Sequence, residues 1–504
     1  MRRLLIGMFV GAAMAAPANA AWNQASSKHF VIYADDKPQR IADFATRLER
    51  FDRAARALLR MDDPIVGDGN RVTIYVFPKV ADVQALAGGD KFIAGFYTGR
   101  AAGSLVYIAK HTDNSDLGAE AVLYHEYSHH LMMQQLDQPY PEWYVEGFAE
   151  FLSTPRFEKD GSVMLGAPPQ DRAWGLFNGQ QLALDSMLGG SYGDITKLSA
   201  ELRESIYGRG WLIAHYLTME PTRSGQLGKY VRGIASGTSP LKSAQDSFGD
   251  LKQLDHDLEK YLHRSTIQTF RITPHDAPPT VAVTPLSAGA AAVVLLRGRI
   301  KNGLKDAEME QAAAQVRAIE AQYPGDELVE ATLAEAELDT KHAVAAEAAA
   351  DRAIKADPKS TEALVLKGRA MVERGEPIDD EKARHALFEQ ARETFIAANK
   401  IDSEDPEPLM EFYNAFLSEG VRPNANALAA LHYASDLAPQ DLGLRLNSAI
   451  AYLMENKPKE ARVALIPVAY SPHDVGAGTV ARKMIAKIDA GDIKGAMTGG
   501  GSDK

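Results

Sequence analysis

The first third of the chain alternates apolar and polar positions in short runs, and the last third repeats apolar positions at helical spacing. Two runs rich in β-branched and aromatic residues, HFVIYAD (29–35) and RVTIYVF (71–77), read as strands, and 38–60 between them has helical periodicity. FIAGFYTG (92–99) and SLVYIAK (104–110) flank RAAG and read as a hairpin. Residues 29–135 are thus expected to be mixed α/β. The stretch YHEYSHHLMMQQLDQPYPEWYVEGFAEFL (124–152) reads as two helices, because the prolines of DQPYP (137–141) end one and start the next. Residues 200–270 carry an amphipathic helical pattern.

The pattern shifts at ITPHDAPPTVAVTPL (272–286), whose four prolines and extended character read as a linker or a short connecting strand pair. Beyond about 300 the chain turns Ala/Glu/Lys-rich and almost continuously helical. Prolines 324, 358, 406, 439 and 472 punctuate it at gaps of 34, 48, 33 and 33 residues. That spacing matches the tetratricopeptide period, with one enlarged repeat around ERGEPIDDEKARH. AAADRAIKADP, ARETFIAANKID and LHYASDLAP resemble the second helix of such repeats, and TGGGSDK reads as a disordered tail.

Composition adds bounds. At 504 residues, 45% hydrophobic and 24% charged, the chain is globular and long enough for two or three domains. MRR, the apolar run LLIGMFVGAAMAA and ANA read as a signal peptide cut after Ala20, which predicts an exported protein, periplasmic or secreted. That apolar run is too short and too Gly/Ala-rich for a membrane span, so none is expected after cleavage. There is no cysteine, which excludes disulfides and thiolate chemistry, and the formal charge of −12 disfavours nucleic acid.

The candidate chemistry lies in 124–152. His125-Glu126-Tyr127-Ser128-His129 is an HExxH, and imidazoles at i and i+4 share one helix face, where both reach one metal ion. Glu126 follows the first ligand and is placed to act as general base. Sixteen residues lie between His129 and Glu146, enough for a turn and a returning helix that brings a third ligand. Glu150, four residues beyond Glu146, would orient His125. The competing reading is a pair of charged helices with solvated histidines. Glu142, at a helix start, serves the helix dipole, and His130 matches no ligand position.

HEYSHH together with PEWYVEGFAEF resembles the gluzincins, zinc metallopeptidases with two histidines and a downstream glutamate, and in detail a bacterial subfamily with W-x-x-E-G-x-A-E. The resemblance implies one Zn2+ per chain, with His125, His129 and Glu146 as ligands and Glu126 as base. Tyr207, in SIYGRGWLIAHYL with Gly210 in a Tyr-x-x-Gly context, is similar to the oxyanion-stabilising tyrosine of the aminopeptidase branch. His215 on the same helix is an alternative donor or a packed histidine. GFYTG and SLVYIAK are similar to the strand region that holds peptide substrates, so backbone groups near Gly95, Phe96 and Tyr97, or Leu105 to Ile108, would bind substrate by β-addition. LALDSMLGG (182–190) and 239–262 resemble the helical second lobe of the clan. No equivalent of the Gly-x-Met-Glu-Asn exopeptidase loop is present, which favours an endopeptidase slightly over an aminopeptidase.

The expected fold is an α+β zincin-like metallopeptidase domain (21–270), a linker (271–300) and an all-α tetratricopeptide-like repeat domain (301–492), framed by the signal peptide (1–20) and tail (493–504). The expected activity is zinc-dependent peptide hydrolysis, with a concave groove of the repeats recruiting a protein substrate or partner. Two alternatives stand beside it. One is an inactive zinc-binding scaffold of the cell envelope that works through its repeats. The other is a hydrolase of non-protein amides such as those in peptidoglycan.

Overall fold

The computed structural model describes residues 22–89, 95–110, 116–134, 140–172, 176–177, 180–190, 198–471 and 475–498. The expected signal peptide, part of the turn at 137–141 and residues 499–504 lie outside the described residues. Among the described residues, no helix is long and apolar enough to cross a membrane.

Nine strands are described: β1 (Trp22–Ser26), β2 (Phe30–Asp35), β3 (Val72–Phe77), β4 (Gly95–Thr98), β5 (Leu105–Ala109), β6 (Arg156–Phe157), β7 (Val163–Leu165), β8 (Phe270–Ile272) and β9 (Ala282–Pro285). Six of them make one sheet in the order β4-β5-β3-β2-β1-β9, and β6, β7 and β8 make a small second sheet. β2, β3 and β5 run parallel, whereas β4, β1 and β9 are antiparallel to their neighbours. The expected hairpin is thus β4–β5, and β4 is an edge of the sheet.

Alternation along the parallel strands gives the sheet two buried faces. Ile32, Ile74 and Val106 point to one face, where they pack with Leu48 and Phe51 of helix α1 (Pro38–Leu59) and with Leu123 and Tyr127 further along the chain. Tyr33, Tyr75 and Tyr107 point to the other, beside the short helix α2 (Val80–Leu86). The register sets Tyr33 opposite Tyr75, Tyr75 opposite Tyr107, and Phe96 opposite Tyr107. Their rings stack as a cross-strand ladder with centroids 5.4, 5.8 and 4.8 Å apart.

The first face carries α3 (Asp116–Gln134) and α4 (Glu142–Leu152), the two histidine- and glutamate-bearing segments, each helical as expected. Helices α5 (Leu184–Gly189), α6 (Ala200–Met219), α7 (Gln226–Ala235), α8 (Pro240–Phe248) and α9 (Leu251–Leu262) close the core behind them.

The stretch read as a linker or a short connecting strand pair carries two strands, which pair with different sheets. β8 pairs with β7, β9 extends the large sheet beside β1, and helix α10 (Ala288–Lys301) lies on the tyrosine ladder. α10 also opens the helical array. It continues through α11 (Asp306–Glu320), α12 (Glu327–Asp339), α13 (Ala343–Ala356), α14 (Thr361–Gly375), α15 (Glu381–Ile401), α16 (Pro406–Glu419), α17 (Ala425–Leu437), α18 (Leu442–Met454), α19 (Pro458–Ala469) and α20 (Val475–Asp489). The C-terminal region is a helical-repeat fold. The 48-residue gap coincides with α15, whose 21 residues make that hairpin longer. Residues 493–497, expected in a disordered tail, form a short helix, α21 (Ile493–Met497).

α10 and the turns between later hairpins meet the sheet domain of the same chain. Tyr107 Oη donates to the Gly298 carbonyl at 2.9 Å, and a Cβ on Gly298 would stand 3.1 Å from the Tyr75 ring. Beneath the ladder, Arg297 pairs with Glu362 at 2.6 Å and Lys301 with Glu335 at 3.0 Å, tying α10 to α14 and α12. Further along, the Asp68 amide donates to Asp402, Asn70 Nδ2 to the Leu437 carbonyl, and the Ala101 amide to Asp441. These parts of the array are therefore engaged by the chain's own sheet and loops.

Several buried groups make folding depend on pH. Burial and neighbouring carboxylates lift Asp405 to about 6 and Glu407 to about 8. Burial opposes charge on His29, but Asp52, Asp63 and Glu49 raise it to about 9. A carboxyl whose folded pKa is raised stabilises the fold while protonated, and that contribution fades as pH climbs through the folded value. The His29 contribution is complete below the ordinary imidazole range and is likewise lost towards pH 9. All three signs agree, with Asp405 acting below about pH 7 and Glu407 and His29 above it. The thermal midpoint of the full chain should fall between about pH 7 and about pH 9, and less steeply in Glu407→Gln. A midpoint that rises over that interval, or a Glu407→Gln slope equal to the wild type's, contradicts this assignment.

Candidate metal centre

Residues four apart on α3 stand one above the other, so His125 and His129 share a face turned towards α4. α4 starts where Pro141 blocks further helix on its N-terminal side, with the Glu142 carboxylate in its first turn, where it complements the helix dipole. Its apolar residues bury Trp143, Val145, Phe148 and Phe151 in the core and carry Glu146 and Glu150 inward with them. Ordinary surface glutamates are exposed; Glu146 is 1% and Glu150 2% exposed.

Three atoms converge. His125 Nε2 and His129 Nε2 are 3.1 Å apart, and Glu146 Oε2 lies 3.3 Å from the first and 3.5 Å from the second. Tetrahedral zinc with ligand bonds of about 2.0–2.1 Å has its donor atoms about 3.3–3.4 Å apart. Two imidazole nitrogens and one carboxylate oxygen in a near-equilateral triangle of that size fit zinc in both chemistry and scale. Burial opposes charge on His125, but Glu146 and Glu150 raise it to about 10, so a cation is favoured between these groups.

The supporting groups come from two elements. Glu150 Oε1 lies 3.4 Å from His125 Nδ1, on the side of the ring away from the triangle. Arg172 donates to the same oxygen from Nε at 3.0 Å and Nη2 at 2.8 Å, and its Nη1 donates to both oxygens of Glu204 on α6. Burial alone would raise Glu150, yet the charges of Arg172 and His125 hold it at about 2, so it stays an acceptor. Arg172 also spans the Tyr207 ring at 4.7 Å, and that ring is 5.9 Å from the His125 ring. The Glu146 charge and then burial push the Tyr207 hydroxyl above its ordinary range, so it remains a hydrogen-bond donor at neutral pH. Arg172 was not anticipated: it comes from a 3-10 turn in a segment without periodic pattern. Arg172→Ala and Glu150→Gln are expected to weaken zinc binding by about 10–100-fold, as loss of groups behind a ligating histidine does. Competition against a chelating dye reads this; affinity unchanged in both would remove them from the site.

Glu126 is half-buried, and its carboxylate acts electrostatically on both Tyr97 of the edge strand and Tyr207 of α6. Gly95, Phe96 and Tyr97 form β4 alongside α3, with a Cβ on Gly95 only 3.4 Å from Val122. The Phe96 ring belongs to the ladder, and the Tyr97 hydroxyl is 2.8 Å from His130 Nδ1, so any substrate contact from this strand falls to its backbone.

The remaining histidines have structural surroundings. His130 points away from the triangle, between Tyr97 and Gln134, and burial with the nearby positive charges lowers it to about 3. His215 is enclosed, with Tyr261 Oη at Nδ1 and the Gln268 carbonyl at Nε2, and burial lowers it to about 4. A second His/Asp group, His29 with Asp52 and Asp63, also has close donor atoms. There the imidazole faces Glu49 at 2.8 Å and Asp63 at 3.0 Å, while Asp52 accepts from Arg56 and Tyr127. That is the arrangement of an imidazolium ion-pair cluster.

One close approach fixes the site's width. Gly147 on α4 faces Gly210 on α6, and a Cβ on Gly147 would stand 2.3 Å from the Gly210 carbonyl group. The glycines of the E-G and Tyr-x-x-Gly patterns are therefore partners, letting two helix backbones touch between Glu146 and Tyr207.

No family model matches the chain, and no curated protein matches it. Among solved structures it is similar to a thermophilic TPR protein of Thermus thermophilus, at 17% identity over 38% of this chain and 93% of that chain, with a TM-score of 0.31.

Proposed function

We propose that the protein is an exported zinc-dependent metallopeptidase, an endopeptidase, with His125, His129 and Glu146 as the zinc ligands. The observation that carries this reading is the buried triangle of two imidazole nitrogens and one carboxylate oxygen, with a second glutamate beside the first histidine. When bound, zinc supplies Lewis acidity that polarises a scissile carbonyl and activates water.

The chain's own residues do the rest. Glu126 takes the proton of the attacking water and passes it to the leaving amine, which requires a carboxylate that water can reach, as its half-buried position permits. Tyr207 donates a hydrogen bond to the developing oxyanion without adding charge. Glu150, held by Arg172, faces His125 Nδ1 at 3.4 Å and so turns Nε2 towards the metal. The edge strand β4 binds the substrate backbone in extended form.

Purified full-length protein should cleave casein or a mixed peptide library, lose the activity on chelation and regain it with one equivalent of zinc. Zinc-loaded protein that cleaves neither under any of these conditions would reject the peptidase reading and favour a scaffold.

A further inference from the structure

We infer that Gln440 and Arg445, in the helical repeats, are positioning residues for the metal centre: they brace the metal-binding helix α3 and the edge strand β4 from outside the sheet domain. The inference rests on the metallopeptidase reading for its consequence, but not for its geometry. On the last described turn of α3, Arg445 Nη2 donates to the Met133 carbonyl at 3.2 Å, one turn beyond His129, and Arg445 Nε donates to Pro439 of its own turn.

A second tie starts at Gln440, which is 5% exposed between α17 and α18. Its Nε2 donates to Ser104 Oγ at 3.2 Å, and Tyr97 Oη on β4 donates to the same oxygen at 3.0 Å. The Tyr97 hydroxyl is also 2.8 Å from Nδ1 of His130, the residue after His129. The chain of contacts therefore runs from the repeats through the start of β5 to β4 and then to α3. Close packing seats it: a Cβ on Gly99 would lie 2.9 Å from the Gln440 carbonyl oxygen. These contacts are polar and local, so removing them leaves the apolar cores of both regions intact. What they fix is the spacing between the strand proposed to hold substrate and the helix proposed to hold zinc.

The test uses the full chain with Gln440→Ala, Arg445→Ala and the double variant. Arg462→Ala, which removes a distant exposed pair with Asp489, serves as the control. Hydrogen exchange is followed in peptides spanning 95–104 and 126–134, and Co2+ in place of zinc reports the metal geometry through its visible spectrum. Expected in the double variant are exchange at least about tenfold faster in both segments, unchanged exchange in 306–375, and a shifted cobalt spectrum; Arg445→Lys should restore protection in 126–134. Unchanged exchange in both segments, or exchange faster everywhere alike, overturns the inference. If the wild type binds no cobalt, the metal reading fails, and the exchange data alone decide the bracing role.

Discussion

Glu126→Gln is expected to lower peptide hydrolysis by about 10²–10⁴-fold while leaving zinc affinity within about twofold. The amide has nearly the shape of the carboxylate, so packing on α3 is kept and the triangle of His125, His129 and Glu146 is untouched. What disappears is the ability to take a proton from water and return it to the amine. Both transfers use the same oxygen atoms, which places the expected loss towards the upper end of the range. Zinc content by plasma mass spectrometry and cleavage of a quenched peptide library give the two readouts. Activity in the variant equal to the wild type's would remove Glu126 from the chemistry, whatever the metal does.

Gly147→Ala should have the largest effect on stability of any single methyl added near the site. Its Cβ would lie 2.3 Å from the backbone of Gly210, and neither helix has a flexible side chain there that can move aside. Overpacking a well-filled core typically costs about 1–3 kcal/mol, and backbone against backbone belongs at or above the top of that range. α4 and α6 must separate, and α4 carries Glu146 and Glu150 while α6 carries Tyr207. Stability and zinc affinity should therefore fall together. Gly210→Ala should behave alike, since its Cβ would meet the Trp143 carbonyl at 2.9 Å. Denaturant unfolding and dye competition test this, and a variant as stable as the wild type would show that the helices do not touch in this way.

Much of the site was legible because its chemistry is local. Two histidines one turn apart need only a helix, and the Glu146/Glu150 pair needs only a second. The strands β2 and β3, the hairpin and the helical repeats were legible for the same reason, as each has its own period. Arg172 was not, because its role depends on a 3-10 turn delivering it to Glu150 and Glu204, which periodicity does not encode. For β9 the sequence leaves linker and connecting strand both open, because Pro285 and its neighbours suit either; the open edge of β1 decides for the strand. The contact between repeats and sheet was invisible as well. It is made by single polar groups such as Asp402, Gln440 and Arg445, which look like ordinary surface residues until the fold brings the sheet to them.

X-ray absorption at the zinc edge on the purified full chain tests the centre most directly. The expected spectrum has one zinc per chain with two imidazole nitrogens and oxygen donors at about 2.0–2.1 Å, and His129→Ala and Glu146→Ala each lose one of those protein ligands or the metal altogether. A wild-type chain that takes up no zinc at micromolar concentration, or one whose zinc shell is the same in His129→Ala, contradicts this centre.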